Sequence, residues 1–188
     1  MLVANSLIEG GFLIMLIRSS KIEDSQTILD VLTEAYTKTR YDVKFAPNWI
    51  ECFINNPSVF PSYVVEDENK VVAGYIVWRV RQLSADHQTT LELQELAARN
   101  GSKKIAVEKL LFNESPLRVI KHLEEKGFNV GEICNLDVWI HDDDRHNNSV
   151  IYSDGEKGKF LGGFEKSDAR GEMLLLYRRK YEHKKIKR

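Results

Sequence analysis

The chain has 188 residues, of which 43% are hydrophobic and 29% are charged, and its formal net charge is −1. This length fits one globular domain, and the near-neutral charge gives no indication of a nucleic acid or an anionic membrane as partner. No apolar run reaches the roughly 20 residues that a membrane-spanning helix needs. The two cysteines, Cys52 and Cys134, lie far apart, which favours buried, reduced thiols and a cytoplasmic location.

Both ends of the chain are expected to lie outside the folded domain, which we place at residues 15–182. Residues 1–14 have no evident structural use. Because a strand pattern starts beside Met15, we expect this methionine to be the natural start. Residues 183–188 form a basic tail, and such a tail is usually a solvated terminus.

Predicted strands and helices alternate along the domain, which indicates a mixed α/β layer architecture. In chain order we predict a strand, two helices, a two-stranded hairpin, a segment that is either a strand or a helix, two helices and two strands. The strands are predicted at 13–18, at 62–66 and 71–82 in the hairpin, at 132–140 and at 172–179. The helices are predicted from a cap at Asp24 or Ser25, at 48–54, at 103–112, and from Ser115-Pro116 to Gly127. The undecided segment is 89–98.

Residues 89–98 are the segment whose type the pattern leaves open. The threonines at its start favour a strand, whereas Glu92, Glu95 and Ala97 favour a helix. The spacing of its three leucines does not decide between the two, because short apolar runs fit either structure.

Several short motifs follow one another in a set order along the chain. They are LIR at 16–18, EAY at 34–36, KVVAGYI at 70–76, ELQELAA at 92–98 with GSKKIAVEKLL at 101–111, and GFE at 163–165. Each motif is short, but in this order and spacing they resemble the GCN5-related N-acetyltransferase (GNAT) superfamily. The resemblance extends over approximately residues 15–180.

The resemblance implies an α/β fold in which helices flank a central mixed, mostly antiparallel sheet, and it makes residues 89–98 a strand. It implies acetyl-CoA as co-substrate. The implied activity is transfer of the acetyl group to a primary amine of a small molecule or peptide. Self-association into a homodimer is left open.

The segment after Ala98 resembles the loop with which this superfamily binds the pyrophosphate of the cofactor. A helix start leaves backbone N–H groups unpaired and carries a partial positive charge, so it suits an anion. Here Lys104 and Ala106 stand where glycines are usual, and the loop is shorter than normal; a plain capped helix with two surface lysines is the alternative. The implied cofactor contacts are Leu96, Ala97, Ala98, Gly101, Ser102, Lys103, Lys104, Ile105, Ala106 and Asn148.

Acetyl transfer to an amine requires a base, and three carboxylates are candidates. Glu92 and Glu95 lie on the implied fourth strand of the superfamily, on opposite faces, so at most one of them faces the cleft. Glu92 is preferred because it aligns with a glutamate that relatives carry there. Asp137 stands where some relatives place a base on the fifth strand, with a plain strand residue as the alternative.

The candidate acid is Tyr152, since relatives often carry a tyrosine between an asparagine, here Asn148, and the motif at Gly163. No tyrosine stands four residues before Gly163, the usual place, which Lys159 occupies. The alternative for Tyr152 is a packing or surface residue. If no acid is present, water or the basicity of the departing thiolate could suffice.

The stretch 141–146 combines histidines with aspartates, a composition that divalent ions accept. Short acidic runs in loops are usually solvated turns, so we expect no metal. The same loop could attract a cationic substrate such as a polyamine or lysine.

Two further hypotheses stand beside an N-acetyltransferase. One is a non-catalytic GNAT-like domain that binds acyl-CoA or a protein partner, which the altered loop and the missing tyrosine favour. The other is an unrelated α/β fold in which residues 103–112 form a strand.

Overall fold

A computed structural model of the protein describes residues 4–8, 11–36, 46–83, 88–101, 103–131, 133–141, 159–164 and 174–182. Its α-helices and strands are β1 (Ala4–Ile8), β2 (Gly11–Ser19), α1 (Ser25–Tyr36), α2 (Ala46–Asn55), β3 (Ser62–Glu66), β4 (Val72–Leu83), β5 (Gln88–Ala98), α3 (Lys104–Glu125), β6 (Ile133–His141), β7 (Lys159–Phe164) and β8 (Leu174–Glu182). The chain divides into two compact units, Met1–Trp78 with Glu95–Pro116, and Arg79–Gln94 with Leu117–Arg188.

The first unit contains an antiparallel run of strands in the order β1, β2, β3, β4. The turn between β3 and β4 is closed by Asp67, whose side chain accepts hydrogen bonds of 2.9 Å from the amides of Asn69 and Val71. Lys70 takes a φ of 62° at the end of this turn. The predicted hairpin is therefore confirmed.

The core of the first unit lies between these strands and helices α1 and α2. Apolar residues recur every three or four positions along both helices, which places them on one face. That face buries Ile28, Val31 and Leu32 from α1 and Ile50 and Phe53 from α2. They form one cluster with the buried strand residues Val64, Val72, Tyr75, Val77 and Ala97.

The second unit contains residues 88–94 of β5, followed in the strand order by β6, β8 and β7. Residues Thr90–Leu93 of β5 pair in parallel with residues 135–138 of β6, while β6 with β8 and β8 with β7 pair antiparallel. Residues 89–98 are thus a strand, as the resemblance implies. The sheet pairings of the chain are mixed and mostly antiparallel, with helices beside them, which confirms the predicted fold class.

One prediction about helices is wrong, because the two helices expected at residues 103–112 and from Ser115 onward form the single helix α3. Ser115 is not an N-cap. Its hydroxyl is fully buried and accepts a 2.7 Å hydrogen bond from the indole nitrogen of Trp78. Burial of this face outweighs the backbone hydrogen bond that Pro116 loses inside the helix. The helix ends as predicted near Gly127, which has a φ of +85°.

Three further differences concern segments where the pattern is weak. Ala4–Ile8 pairs with Gly11–Met15 as a hairpin, although the first strand was expected to begin at Leu13 and the residues before it had no evident structural use. Strand β7 was not predicted, because its two adjacent glycines lower strand propensity. Cys134 is buried as expected, but Cys52 is exposed, since it lies on the solvent side of α2.

Candidate functional site

A cavity of about 250 Å³ lies in the first unit at the start of α3. Its walls come from the first residues of β4, from the loop after β5 and from the first turn of α3. The lining residues are Ala73, Arg99, Asn100, Gly101, Lys103, Lys104 and Val107. Three of them are basic. Gly101 has a φ of +136°, and a Cβ built there would meet nothing within 4 Å, so the backbone at this wall is open to a ligand.

Close backbone packing at Gly74 holds the walls of the cavity together. A Cβ at this position would lie 2.6 Å from Cγ1 of Val107 and 2.8 Å from the carbonyl oxygen of Ala97. Only glycine lets β4, the end of β5 and the start of α3 approach this closely. Arg99, the first residue after β5, donates its amide to the carbonyl of Ala73 at 2.9 Å, which continues the contact with β4.

The loop after β5 is held from α1 by Glu34. The carboxylate of Glu34 accepts hydrogen bonds from the guanidinium of Arg99 at 3.1 Å and from the amide of Asn100 at 2.7 Å. The side-chain amide of Asn100 donates to the carbonyl of Glu34 at 3.0 Å, and Arg99 also donates to the carbonyl of Val72 at 3.0 Å. Nothing in the sequence pattern indicates the contacts of Glu34, which join residues 65 and 66 positions apart.

The cavity fits an anionic group such as a diphosphate. A helix start supplies N–H groups without intrahelical acceptors and a partial positive charge. Lys103 is exposed at this end, and the ammonium of Lys104 lies 4.0 Å from the carboxylate of Glu108, one turn along α3. The pKa of Glu108 is raised by burial, although Lys104 opposes the shift.

The predicted cofactor residues are distributed over three places. Gly101, Lys103 and Lys104 line the cavity, and Ile105 and Ala106 lie in the first turn of α3. Leu96, Ala97 and Ala98 form the end of β5. Ser102 and Asn148 lie outside the described residues.

Glu95, also in the first unit, is a carboxylate whose hydrogen-bond donor is an indole nitrogen. Its side chain is half-buried on β5, and its Oε2 accepts a 2.9 Å hydrogen bond from the indole Nε1 of Trp49 on α2. Burial raises the pKa of Glu95 to about 7, and the Trp49 indole and the Tyr75 hydroxyl oppose this shift. A carboxyl group with such a pKa both accepts and releases protons near neutrality.

Aromatic side chains surround the hydrogen-bond donors of Glu95. The ring of Trp49 makes edge contacts with Phe53 and Phe60, with centroids 5.5 and 5.2 Å apart. Phe53 in turn stacks on Tyr75 at 6.3 Å. This packing fixes the Trp49 indole in place, so its N–H is oriented before any ligand binds.

Tyr75 is fully buried, and its hydroxyl has no hydrogen-bond partner among the described residues. The hydroxyl is an electrostatic neighbour of the Glu95 carboxylate rather than its bonded donor. Burial, followed by the nearby Glu95 charge, raises the pKa of Tyr75, so the phenol stays protonated.

The other two carboxylate candidates lie in the second unit, each in an ion pair. Glu92 is buried, and its Oε2 lies 3.0 Å from a guanidinium nitrogen of Arg81. Asp137 is also buried and binds Arg178 through both oxygens, at 2.6 and 2.7 Å. The guanidinium groups therefore occupy oxygens that a base would offer to an amine.

Tyr152 and residues 142–146 of the acidic stretch lie outside the described residues. Within the part of the chain that is described, no group of three or more histidine, cysteine, aspartate or glutamate side chains is arranged to hold a metal ion. None of the helices in the same residues is long and apolar enough to cross a membrane.

No protein-family model matches the chain, and no curated protein matches it. Solved structures do. An acetyltransferase of the GNAT family from Streptococcus pneumoniae is 13% identical, with a TM-score of 0.62 over 89% of this chain and 99% of the other. Ribosomal-protein-alanine N-acetyltransferase from Brucella melitensis is 18% identical, with a TM-score of 0.58 over 87% and 98%.

A third similar structure is that of yncA from Salmonella typhimurium with its cofactor acetyl-CoA. It is 18% identical, with a TM-score of 0.57 over 89% of this chain and 93% of that one. At such low identities these likenesses concern the fold. Each of them extends over nearly the whole length of the neighbour.

Proposed function

We propose that this chain, which has the fold of the GCN5-related N-acetyltransferases, is an acetyl-CoA-dependent N-acetyltransferase acting on a primary amine of a small molecule or peptide. One observation carries the proposal: the same short segment of the first unit holds a carboxylate with a pKa of about 7 and, a few residues later, a basic cavity at a helix start. The first suits a base for an amine, and the second suits the diphosphate of a coenzyme.

The residues that would hold the cofactor are those at the start of α3. Gly101 offers open backbone, Lys103 and Lys104 offer positive charge, and the first helical turn offers N–H groups. Acetyl-CoA would supply its acetyl group as a thioester, so the reaction forms an amide and releases the thiol of CoA. The end of β5, at Leu96, Ala97 and Ala98, would supply backbone donors for the thioester carbonyl.

The base in this proposal is Glu95. A primary amine is mostly an ammonium at neutral pH, and it must lose a proton before its nitrogen can attack a carbonyl carbon. A carboxylate with a pKa of about 7 accepts that proton more readily than an exposed glutamate would. Trp49 holds the carboxylate in one orientation through its indole N–H.

Glu92 and Asp137 would have a supporting role, because Arg81 and Arg178 occupy carboxylate oxygens that a base would turn towards the substrate. Tyr152 stays the proposed acid. Its environment lies outside the described residues, so the proposal for it rests on the sequence alone.

A non-catalytic acyl-CoA-binding domain is the second candidate. The observation that favours it is the altered loop, where Lys104 lines the cavity at a position usually held by glycine in the superfamily that the sequence resembles. Both candidates require acetyl-CoA binding, but only the first requires turnover.

Two measurements on the purified protein test the proposal. The first is thermal unfolding with acetyl-CoA present, since a ligand at 100 times its dissociation constant stabilises the folded state by about 2.7 kcal/mol. The second is release of free thiol from acetyl-CoA with a panel of primary amines. We expect stabilisation, and thiol release that depends on the amine.

The outcomes separate the candidates. Stabilisation without thiol release from any amine supports the binding domain and contradicts catalysis. No stabilisation contradicts both candidates. The double variant Lys103→Glu with Lys104→Glu tests the place of binding. It should abolish the stabilisation by acetyl-CoA, because it reverses two positive charges at the cavity.

A further inference from the structure

We infer that Glu34 is a positioning residue for the cofactor loop, and that acetyl-CoA binding depends on the hydrogen bonds of this acidic side chain although it never touches the ligand. The inference rests on the proposed function. Glu34 lies on α1, and it binds the two residues that immediately precede Gly101 in the wall of the cavity.

An acidic side chain beside an anion site needs an explanation. By Coulomb's law, a carboxylate near a diphosphate repels it, so charge alone predicts that Glu34 weakens cofactor binding. The side chain is only partly exposed, at 35%, and its carboxylate faces the loop through an ion pair with Arg99 at 3.1 Å. Its other carboxylate oxygen accepts the amide of Asn100 at 2.7 Å.

These contacts fix the loop from two sides. The backbone of β4 holds Arg99 through the carbonyls of Val72 and Ala73. Helix α1 holds Asn100 through the carboxylate and the main-chain carbonyl of Glu34. The hydrogen bond from the side chain of Asn100 to the main-chain carbonyl of Glu34 also satisfies a C=O group in the last turn of α1. The last four C=O groups of a helix have no partner within the helix.

The contacts of Arg99 and Asn100 affect Gly101, because Gly101 follows Asn100 directly in the chain. A glycine with a φ of +136° has few conformational restraints of its own. Without Glu34, the loop would have to be ordered when the ligand binds, and this ordering costs free energy that subtracts from affinity. Glu34 therefore acts by preorganisation, and its benefit exceeds its electrostatic repulsion.

Isothermal titration of acetyl-CoA into three variants at one salt concentration tests this. For Glu34→Ala we expect affinity to fall by about tenfold, the effect of losing a charge-assisted hydrogen bond. The KM for acetyl-CoA should rise in parallel, while kcat stays close to that of the wild type. Glu34→Gln should recover most of the affinity, because its side-chain oxygen can still accept from Asn100.

The control is Asp30→Ala, which removes an exposed acidic residue one turn earlier on the same helix, where it accepts from Gln26 at 2.9 Å. It should leave affinity unchanged. Hydrogen exchange at the amide of Asn100 adds a readout without ligand, and this amide should exchange faster in Glu34→Ala than in Glu34→Gln. Thermal unfolding shows that each variant is folded.

Unchanged or tighter binding by a folded Glu34→Ala would overturn the inference, because repulsion would then dominate. An equal loss in Glu34→Gln and Glu34→Ala would also overturn it, since the charge and not the acceptor would matter. A wild-type protein that does not bind acetyl-CoA would overturn the proposed function itself, and the inference with it.

Discussion

The indole Nε1 of Trp49 lies 2.9 Å from Oε2 of Glu95, and this hydrogen bond joins helix α2 to strand β5. The bond is notable because its acceptor is a carboxyl group whose pKa is raised to about 7 by burial. An indole can only donate, so it stabilises the ionised form of the carboxyl group more than the neutral form. Trp49 therefore opposes burial, and the two effects together set a pKa at which the carboxyl group gains and loses its proton near neutral pH.

Replacement of Glu95 by glutamine should remove the proposed base while keeping the shape of the side chain. We expect Glu95→Gln to lower kcat by about 100-fold or more, the range for loss of a general base. The matched control is Glu92→Gln on the same strand, whose partner is Arg81. Steady-state kinetics with one amine compares the two. A larger loss in Glu92→Gln than in Glu95→Gln would show that the base is Glu92.

The pH dependence of kcat/KM should report the pKa of Glu95 in the free enzyme. The base acts when deprotonated, so kcat/KM should fall as pH drops below about 7. Trp49→Phe removes a donor that lowers this pKa, and Tyr75→Phe removes a neighbouring hydroxyl with the same effect. Both variants should move the inflection to higher pH. An inflection that stays in place in both variants would exclude Glu95 as the titrating group.

Protein stability should depend on Glu95 with a definite sign. The pKa of Glu95 is about 7 in the folded state, against a value of 4.5 for a free side chain. Between these values the folded state binds the proton more tightly than the unfolded state, so this group contributes stability at low pH and loses it as pH rises through 7.

The same reasoning predicts the behaviour of a variant without this charge. Glu95→Gln should be more stable relative to the wild type at pH 8 than at pH 4.5, when the free energy of unfolding is measured in urea at each pH. A difference between the two proteins that grows in the opposite direction would mean that the carboxylate is stabilised as an anion in the folded state.

Local pattern was sufficient for most of the fold. The spacing of Ile28, Leu29, Leu32 and Ala35 predicts α1, and the turn residues at 67–70 predict the hairpin, because these signals are local in sequence. The prediction that a new helix starts at Ser115 was wrong, because the contact that decides it is distant in sequence. A serine followed by proline has the pattern of a helix start, but the partner that overrides it, Trp78, is 37 positions away.

The residues of the candidate site also divide into those that the sequence identifies and those whose role depends on contacts distant in sequence. Gly101, Lys103 and Lys104 could be identified from the sequence, because the resemblance of residues 101–111 to a pyrophosphate loop implies a ligand at this helix start, and all three line the cavity. The preference for Glu95 over Glu92 as the proposed base could not come from the sequence. It depends on the partner of each carboxylate, which is Trp49 for Glu95 and Arg81 for Glu92. The same limit applies to Glu34, whose role depends on residues more than 60 positions away.

A methyl group at Gly74 should disturb both the fold and the proposed cofactor site. Its Cβ would lie 2.6 Å from Val107 and 2.8 Å from the carbonyl oxygen of Ala97, and a backbone oxygen cannot move aside as a side chain can. We expect Gly74→Ala to lower the free energy of unfolding by about 2 kcal/mol, as overpacked cores do. It should also raise the KM for acetyl-CoA, because Val107 lines the cavity.

A double variant shows whether the contact with Val107 carries the effect. Val107→Ala removes the nearer of the two atoms, so the double variant should lose less stability than the sum of the single variants. Gly127→Ala is the control, since it introduces backbone strain at a φ of +85° with nothing within 4 Å. It should lower stability and leave the KM for acetyl-CoA unchanged. If Gly74→Ala changed neither quantity, the close approach of β4, β5 and α3 would not be what shapes the cavity.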